Sequence, residues 1–190
     1  MRIDVYDFDG TLFDGESTGA FWRYCLRRRP SLLRFLPEQL LGGLLFLMDA
    51  QALTVAKRHF LCFLRGVDAE AMAQDFWSDP RRLRRLAPWL RRAPGDIPFA
   101  IASASPAFLV APAARRLGAD VLVATRADPR TGLIRGENCR GEEKIRRLRE
   151  ALGDFSVRAM YTDDPVSDAP LLAMAEERYL VRHGRVTRMD

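Results

Sequence analysis

Two carboxylates, Asp7 and Asp9, stand two residues apart in Val5-Tyr6-Asp7-Phe8-Asp9-Gly10-Thr11-Leu12. They follow a short apolar run over residues 3–6, which reads as a buried parallel strand. In extended backbone, residues i and i+2 share a face, so both acids point the same way at the strand's end. Gly10 lets the chain turn away at once. Like charges this close repel. A divalent cation with a preference for oxygen ligands would neutralise them economically.

Three further stretches carry residue types that suit the same chemistry. Ser103-Ala104-Ser105-Pro106 ends a second apolar run and opens a helix. The Ser103 hydroxyl and the free N–H groups there, Ala104's among them, suit a phosphate oxygen. Lys144 sits in the first turn of an expected helix over 141–152, where the helix dipole disfavours a cation, so its charge is needed elsewhere. A compact ammonium can offset several carboxylates and a phosphoryl group. Met160-Tyr161-Thr162-Asp163-Asp164-Pro165-Val166-Ser167-Asp168 ends another strand with three acids.

The elements that position these groups alternate from residue 97 onward. Strands are expected over 97–102, 121–124, 157–161 and 179–181, with helices over 106–117, 141–152 and 168–176. Such alternation means an α/β, Rossmann-like parallel sheet covered on both faces, and ligands bind beyond the carboxyl ends of its strands. Between the first strand and the rest, residues 15–95 read as helical. The expected organisation is therefore an α/β core of residues 1–14 and 96–190 with a helical cap of residues 15–95. Within that insertion the apolar stretch 31–48 is broken by Arg34, Pro37, Glu38 and Gln39. Its clean part, 40–48, is half of the ~18 residues a membrane span needs. Core-facing cap helices are expected there, with a membrane-surface element as the alternative. A further helix is expected over 50–65, and a turn at Pro94-Gly95-Asp96.

Composition narrows the class. Among 190 residues, 48% are hydrophobic and 29% charged, as in an ordinary globular protein. Three widely spaced cysteines, Cys25, Cys62 and Cys139, give neither a disulfide framework nor a zinc pattern, and His59 and His183 form no metal motif. No signal peptide precedes the first strand, so a cytoplasmic protein is expected. Residues 15–95 hold 14 Lys+Arg against 7 Asp+Glu, which places the excess positive charge in the cap. That balance suits an anionic substrate or peripheral contact with an anionic membrane surface, and nucleic acid is not expected as a partner.

The first stretch resembles the DxDGT motif of the haloacid dehalogenase superfamily. Ser103, Lys144 and the acids at 163–168 match the second, third and fourth motifs in family order. Ala102-Ser103-Ala104-Ser105-Pro106, Asn138-Cys139-Arg140-Gly141 and Ser167-Asp168-Ala169-Pro170-Leu171-Leu172 are similar to the phosphoserine-phosphatase-like branch that also holds phosphatidylglycerophosphatase C. The resemblance implies a Mg²⁺-dependent phosphomonoester hydrolase acting on a small anionic phosphorylated metabolite. Asp7 would be the nucleophile that forms an aspartyl-phosphate, and Asp9 the general acid and base. Ser103, Ala104 and Lys144 would hold the phosphoryl oxygens. The metal would be bound among Asp7, Asp9, Asp163 or Asp164, and Asp168. Strand register favours Asp163 over Asp164, with Asp168 binding through water or pairing with Lys144. Similar caps place an Arg on the substrate's remote anion, which implies Arg58, with Lys57 second and Glu16 a further candidate contact. A phosphotransferase, a membrane-surface lipid phosphate phosphatase and a non-catalytic Mg²⁺- or phosphate-binding protein are the alternatives. A dehalogenase is disfavoured, because halide departure needs no proton donor such as Asp9.

Overall fold

The computed structural model describes residues 1–48, 53–90 and 97–190. Six strands form one sheet in the order β3-β2-β1-β4-β5-β6. They are β1 (Arg2–Tyr6), β2 (Phe99–Pro106), β3 (Val121–Thr125), β4 (Ser156–Thr162), β5 (Ala175–Arg182) and β6 (Arg185–Arg188). The first five run parallel, and β6 pairs antiparallel with β5. β1 lies at the centre, between β2 and β4, so residues just past β1, β2 and β4 meet at one end of the sheet.

Side chains alternate along these strands and divide the core in two. Ile3 and Val5 of β1 pack with Ala100, Ala102 and Val123 on one face, against Ile145 and Leu148 of a helix over Glu142–Leu152 and Leu171 and Leu172 of a short helix over Ala169–Met174. Tyr6 and Phe8 face the other side, where Phe99, Ile101, Leu109 and Val110 join them. The helical insertion packs on this second face. It comprises α1 (Ser17–Arg28), a 3-10 run over Pro30–Phe35, α2 (Leu36–Met48), α3 (Leu53–Phe60), a 3-10 run over Leu61–Gly66, α4 (Ala69–Phe76) and α5 (Pro80–Leu83). Its Phe21, Tyr24, Phe63, Phe76 and Trp77 share one buried cluster with Phe8, Phe13 and Leu109. The helices of the second half are α6 (Ala107–Leu117), α7 (Glu142–Leu152) and α8 (Ala169–Met174).

Three local expectations are corrected. The stretch expected to face the core is mostly exposed: on α2 only Gly42 is buried, and Leu40, Leu44, Leu47 and Met48 are open to solvent. Pro30–Met48 is one helical run of 19 residues, apolar and long enough by composition to cross a membrane, and 17% of its apolar 18-residue window is buried. α8 stops at Met174, two residues earlier than expected, because Ala175 joins the sheet opposite Val157. The charges of Glu176 and Glu177 are satisfied on the strand, where Glu176 pairs with Arg2 and Glu177 with Arg158. β6 was not expected. It is joined to β5 by a tight turn at His183 and Gly184, whose φ angles of 49° and 74° match a primed hairpin turn. The first residues of the helix expected over 50–65 and the turn expected at 94–96 lie outside the described residues.

Candidate active site

The site is built from the carboxyl ends of β1, β2 and β4 and the start of α7. β1 delivers Asp7, whose backbone N–H continues the ladder to the Tyr161 carbonyl at 2.9 Å. Phe8 turns the opposite way and is fully buried edge-on against Trp77, which fixes the rotation of the segment and sends Asp7 and Asp9 together toward the open end. The chain then closes on itself, with Phe13 donating to the Phe8 carbonyl at 2.8 Å and Gly10 to the Gly15 carbonyl at 2.9 Å. Gly10 is required twice over. Its φ is +73°, and a Cβ there would lie 2.0 Å from an Asp163 carboxylate oxygen.

Lys144 is buried in the first turn of α7, and its ammonium donates to Asp7 Oδ1 at 2.7 Å and to Asp168 Oδ1 at 2.6 Å. Asp168 also accepts from the Thr162 hydroxyl at 2.8 Å. Burial works against the Lys144 charge, but the two carboxylates outweigh it and hold its pKa above the usual lysine range. Burial likewise pushes the Asp7 carboxyl up to about 7, while Lys144 pulls it down. α7 is itself held in place by Arg147, which is buried and binds Glu143 at 2.7 Å, the Glu137 carbonyl at 2.7 Å and the Ala124 carbonyl.

Asp9 is set differently from Asp7. One oxygen accepts the Ser17 backbone N–H at 2.7 Å, and the other accepts the Ser105 hydroxyl. Ser105 is in turn within 2.8 Å of the Thr18 hydroxyl. Desolvation raises the Asp9 pKa above the usual carboxylate range, with Ser105 and Ser17 pulling against it. A carboxyl that keeps its proton longer than an exposed one, at the edge of an open site, suits a general acid.

The structure brings Asp7, Asp9, Ser103, Ala104, Lys144, Asp163 and Asp168 to this end of the sheet. Ser103 is buried, and its oxygen accepts the Ser105 N–H at 3.0 Å. Asp163 lies against Gly10 and accepts the Thr11 hydroxyl at 3.4 Å. Asp164 points elsewhere: it meets Arg140 at 3.4 Å and accepts the Ser167 N–H at 3.0 Å. The expected order of the two cap cations is reversed in space. Lys57 reaches the site wall, donating to the Ala104 carbonyl at 2.7 Å and to Asn138 Oδ1 at 3.0 Å, whereas exposed Arg58 donates to the Ile134 carbonyl at 3.2 Å. Glu16 caps α1, accepting the Thr18 and Gly19 N–H groups at 3.0 and 2.6 Å. Sequence reasoning missed Ser17, Ser105, Thr125 and Asn138. Thr125 donates to the Ala104 carbonyl at 2.6 Å and accepts the Cys139 N–H at 3.0 Å, tying β3 to the loop before α7. The only available signal was proximity in sequence: Ser17 opens α1, Ser105 and Thr125 lie at the ends of β2 and β3, and Asn138 lies in the loop before α7.

The donor set fits a hard divalent cation. Asp7 and Asp163 are oxygen donors whose pKa values burial raises, and for Asp163 a backbone hydrogen bond and the long Thr11 contact offset it only in part. Among the described residues no three side chains of the His, Cys, Asp and Glu types converge as a closed cage. Mg²⁺ needs no such cage, because it binds through one or two carboxylates and keeps water or phosphate oxygens in its other positions.

Comparison with known proteins agrees with this geometry. The family model for haloacid dehalogenase-like hydrolases matches residues 5–173. The chain is 35% identical to Protein CicA of Caulobacter vibrioides, over 95% of this chain and 86% of that protein. A crystal structure of a protein of unknown function from Bordetella pertussis Tohama I aligns over 93% of this chain and 88% of that one, with a TM-score of 0.69 and 25% identity. A phosphoserine phosphohydrolase-like protein from Francisella tularensis shares the fold, with a TM-score of 0.58 and 17% identity over 94% of this chain and 86% of that one. With its motifs gathered at the carboxyl ends of β1, β2 and β4, and a family match that spans most of its length, the chain belongs to the haloacid dehalogenase-like hydrolases.

Proposed function

We propose that the protein is a phosphomonoester hydrolase that works through a phosphorylated Asp7. The observation that carries this reading is the contrast between two acids on one short turn. Asp7 is gripped by an ammonium, and Asp9 is held by a hydroxyl and a backbone N–H. A carboxylate oxygen of Asp7 attacks phosphorus, the bond to the leaving alcohol breaks, and Asp9 gives that alcohol its proton. Water then attacks the phosphorus of the aspartyl-phosphate, Asp9 takes the water's proton, and phosphate leaves with the Asp7 carboxylate restored. Lys144, the Ser103 hydroxyl and the N–H groups that follow it supply donors for the phosphoryl oxygens, whose charge must be stabilised throughout. Mg²⁺ held by Asp7, the Asp9 backbone and Asp163 would neutralise part of that charge.

The test is phosphate release from an aryl phosphate in the presence of Mg²⁺, with Asp7→Asn alongside. The amide is nearly isosteric but not nucleophilic, so turnover should fall by ~10³-fold or more with the fold intact. Comparable turnover by wild type and variant would overturn the reading.

A further inference from the structure

A cleft of about 440 Å³ opens beside the site, between α1, α2 and α3. It falls within the range of ~300–1,000 Å³ typical of small-molecule pockets. Gly43 and Phe46 of α2, Leu53, Ala56 and Phe60 of α3 and Gly19 of α1 form its walls. At its inner end stand Lys57, Glu16 and Thr18, next to the catalytic wall: Lys57 holds the Ala104 carbonyl, and Thr18 is bonded to the Ser105 that supports Asp9.

The polar side chains that line this cleft are already engaged within the fold. Glu16 caps α1. Gln39 donates to the Phe60 carbonyl at 2.9 Å. Thr18 pairs with Ser105. Lys57 spans the Ala104 carbonyl and Asn138 Oδ1. A substrate with a second negative group would find its nearest cation committed and Glu16 repelling it. An aliphatic chain would meet aromatic and aliphatic walls. At about 100° per residue, the α2 residues that line the cleft are flanked around the helix by Leu36, Leu40, Leu44 and Leu47, all exposed, so the apolar wall continues outward onto the surface.

We infer that the cleft receives an apolar chain, and that the substrate is a phosphorylated amphiphile whose alcohol leaving group carries that chain, not a metabolite with a remote anion. This rests on the phosphatase reading and narrows its substrate class. The chain could be drawn from a free amphiphile or from one seated in a bilayer.

Phosphate release should be measured with Mg²⁺ on a series of straight-chain alkyl monophosphates kept below their aggregation concentrations, with an aryl phosphate as reference. Each added methylene should raise kcat/KM roughly threefold to fourfold until the cleft is filled. Gly43→Leu, which occupies the cleft, should flatten this dependence. A Cβ at Gly43 meets nothing within 4 Å, so the new side chain has room at its base, and an unchanged circular dichroism spectrum checks that the variant is folded. A flat chain-length profile in an enzyme that hydrolyses the aryl phosphate would overturn this inference alone, as would a preference for chains ending in a carboxylate. No release from any member or from the aryl phosphate would overturn the phosphatase reading, and this inference with it. A long-chain alkyl phosphate carried in phosphatidylcholine vesicles separates the two sources. Hydrolysis there assigns a bilayer-borne amphiphile, and protection there with turnover of the monomers assigns a free one.

Discussion

Asp163 and Asp164 are adjacent in the chain and opposite in circumstance. Asp163 lies against Gly10 inside the site, half-buried with one long hydrogen bond, whereas Asp164 bonds Ser167 and faces Arg140 at the surface. A cation at the Asp7 carboxylate would therefore gain from Asp163 and not from Asp164. Asp163→Asn should raise the Mg²⁺ concentration needed for half-maximal phosphate release by at least ~10-fold, the lower end for loss of a supporting metal contact. Asp164→Asn should leave it within about twofold, and an equal shift in both would remove Asp163 from the metal's ligands. The candidate acids could be read from the chain because their placement is local: Asp7 and Asp163 directly follow strands, and Asp9 stands two residues beyond Asp7. The residues that tune them could not. Ser105 touches Asp9 across 96 residues of sequence, and Lys57 touches Asn138 across 81. Nothing in the types Ser, Thr or Asn distinguishes such a partner from a helix cap.

α2 shows where hydrophobic pattern loses its meaning. Leucines surround it, so apolar density predicted burial, yet its one buried residue is a glycine. The reason is contact geometry. α2 meets α3 at Gly42, where a Cβ would come within 2.5 Å of His59 Cβ and 3.0 Å of the Ala56 carbonyl oxygen. The two helices approach so closely at that point that only hydrogen fits, and the leucines are turned out to solvent. Neighbouring Gly43 has no atom within 4 Å of such a Cβ. Alanine gains ~1 kcal/mol of helix propensity over glycine at either position. At Gly43 that gain is unopposed, so Gly43→Ala should raise Tm. At Gly42 it is offset by an overpacking cost of ~1–3 kcal/mol, so Gly42→Ala should lower Tm. Thermal unfolding of the pair, followed by circular dichroism, checks this, and a shift of the same sign in both would deny the close approach. The first half of β5, expected to be helical as far as residue 176, was illegible for a related reason. β5 carries Glu176, Glu177 and Arg178 in a row, and its charges make sense only beside Arg2 and Arg158, which come from distant parts of the chain.

The chain reads as two pieces, an α/β core interrupted by a helical insertion, but its packing joins them. Phe8 and Phe13 follow the first strand, Phe21, Phe76 and Trp77 belong to the insertion, and Leu109 lies on α6, all in one buried cluster. Phe13 meets Trp77 edge-on at 5.1 Å, and Phe76 meets Trp77 at 5.0 Å. The Trp77 indole N–H also crosses to the Leu109 carbonyl at 2.7 Å, so this one side chain ties the insertion to both the catalytic turn and α6. Arg85 adds a surface tie, lying 5.2 Å over the Phe13 ring and donating to the Asp14 carbonyl. Insertion and core should therefore lose structure together. In urea, far-UV circular dichroism and tryptophan fluorescence should trace a single coincident transition. Trp77→Ala should cost ~3–5 kcal/mol, since it empties a fully buried aromatic site and leaves the Leu109 carbonyl without its partner. That loss should move the whole transition to lower urea instead of splitting it. If the variant unfolds in two steps, with the insertion melting first and the sheet persisting, the shared cluster is not the joint that couples them. Because Phe8 sits between Asp7 and Asp9, the same substitution should also depress kcat, through the loosened turn that aims both acids.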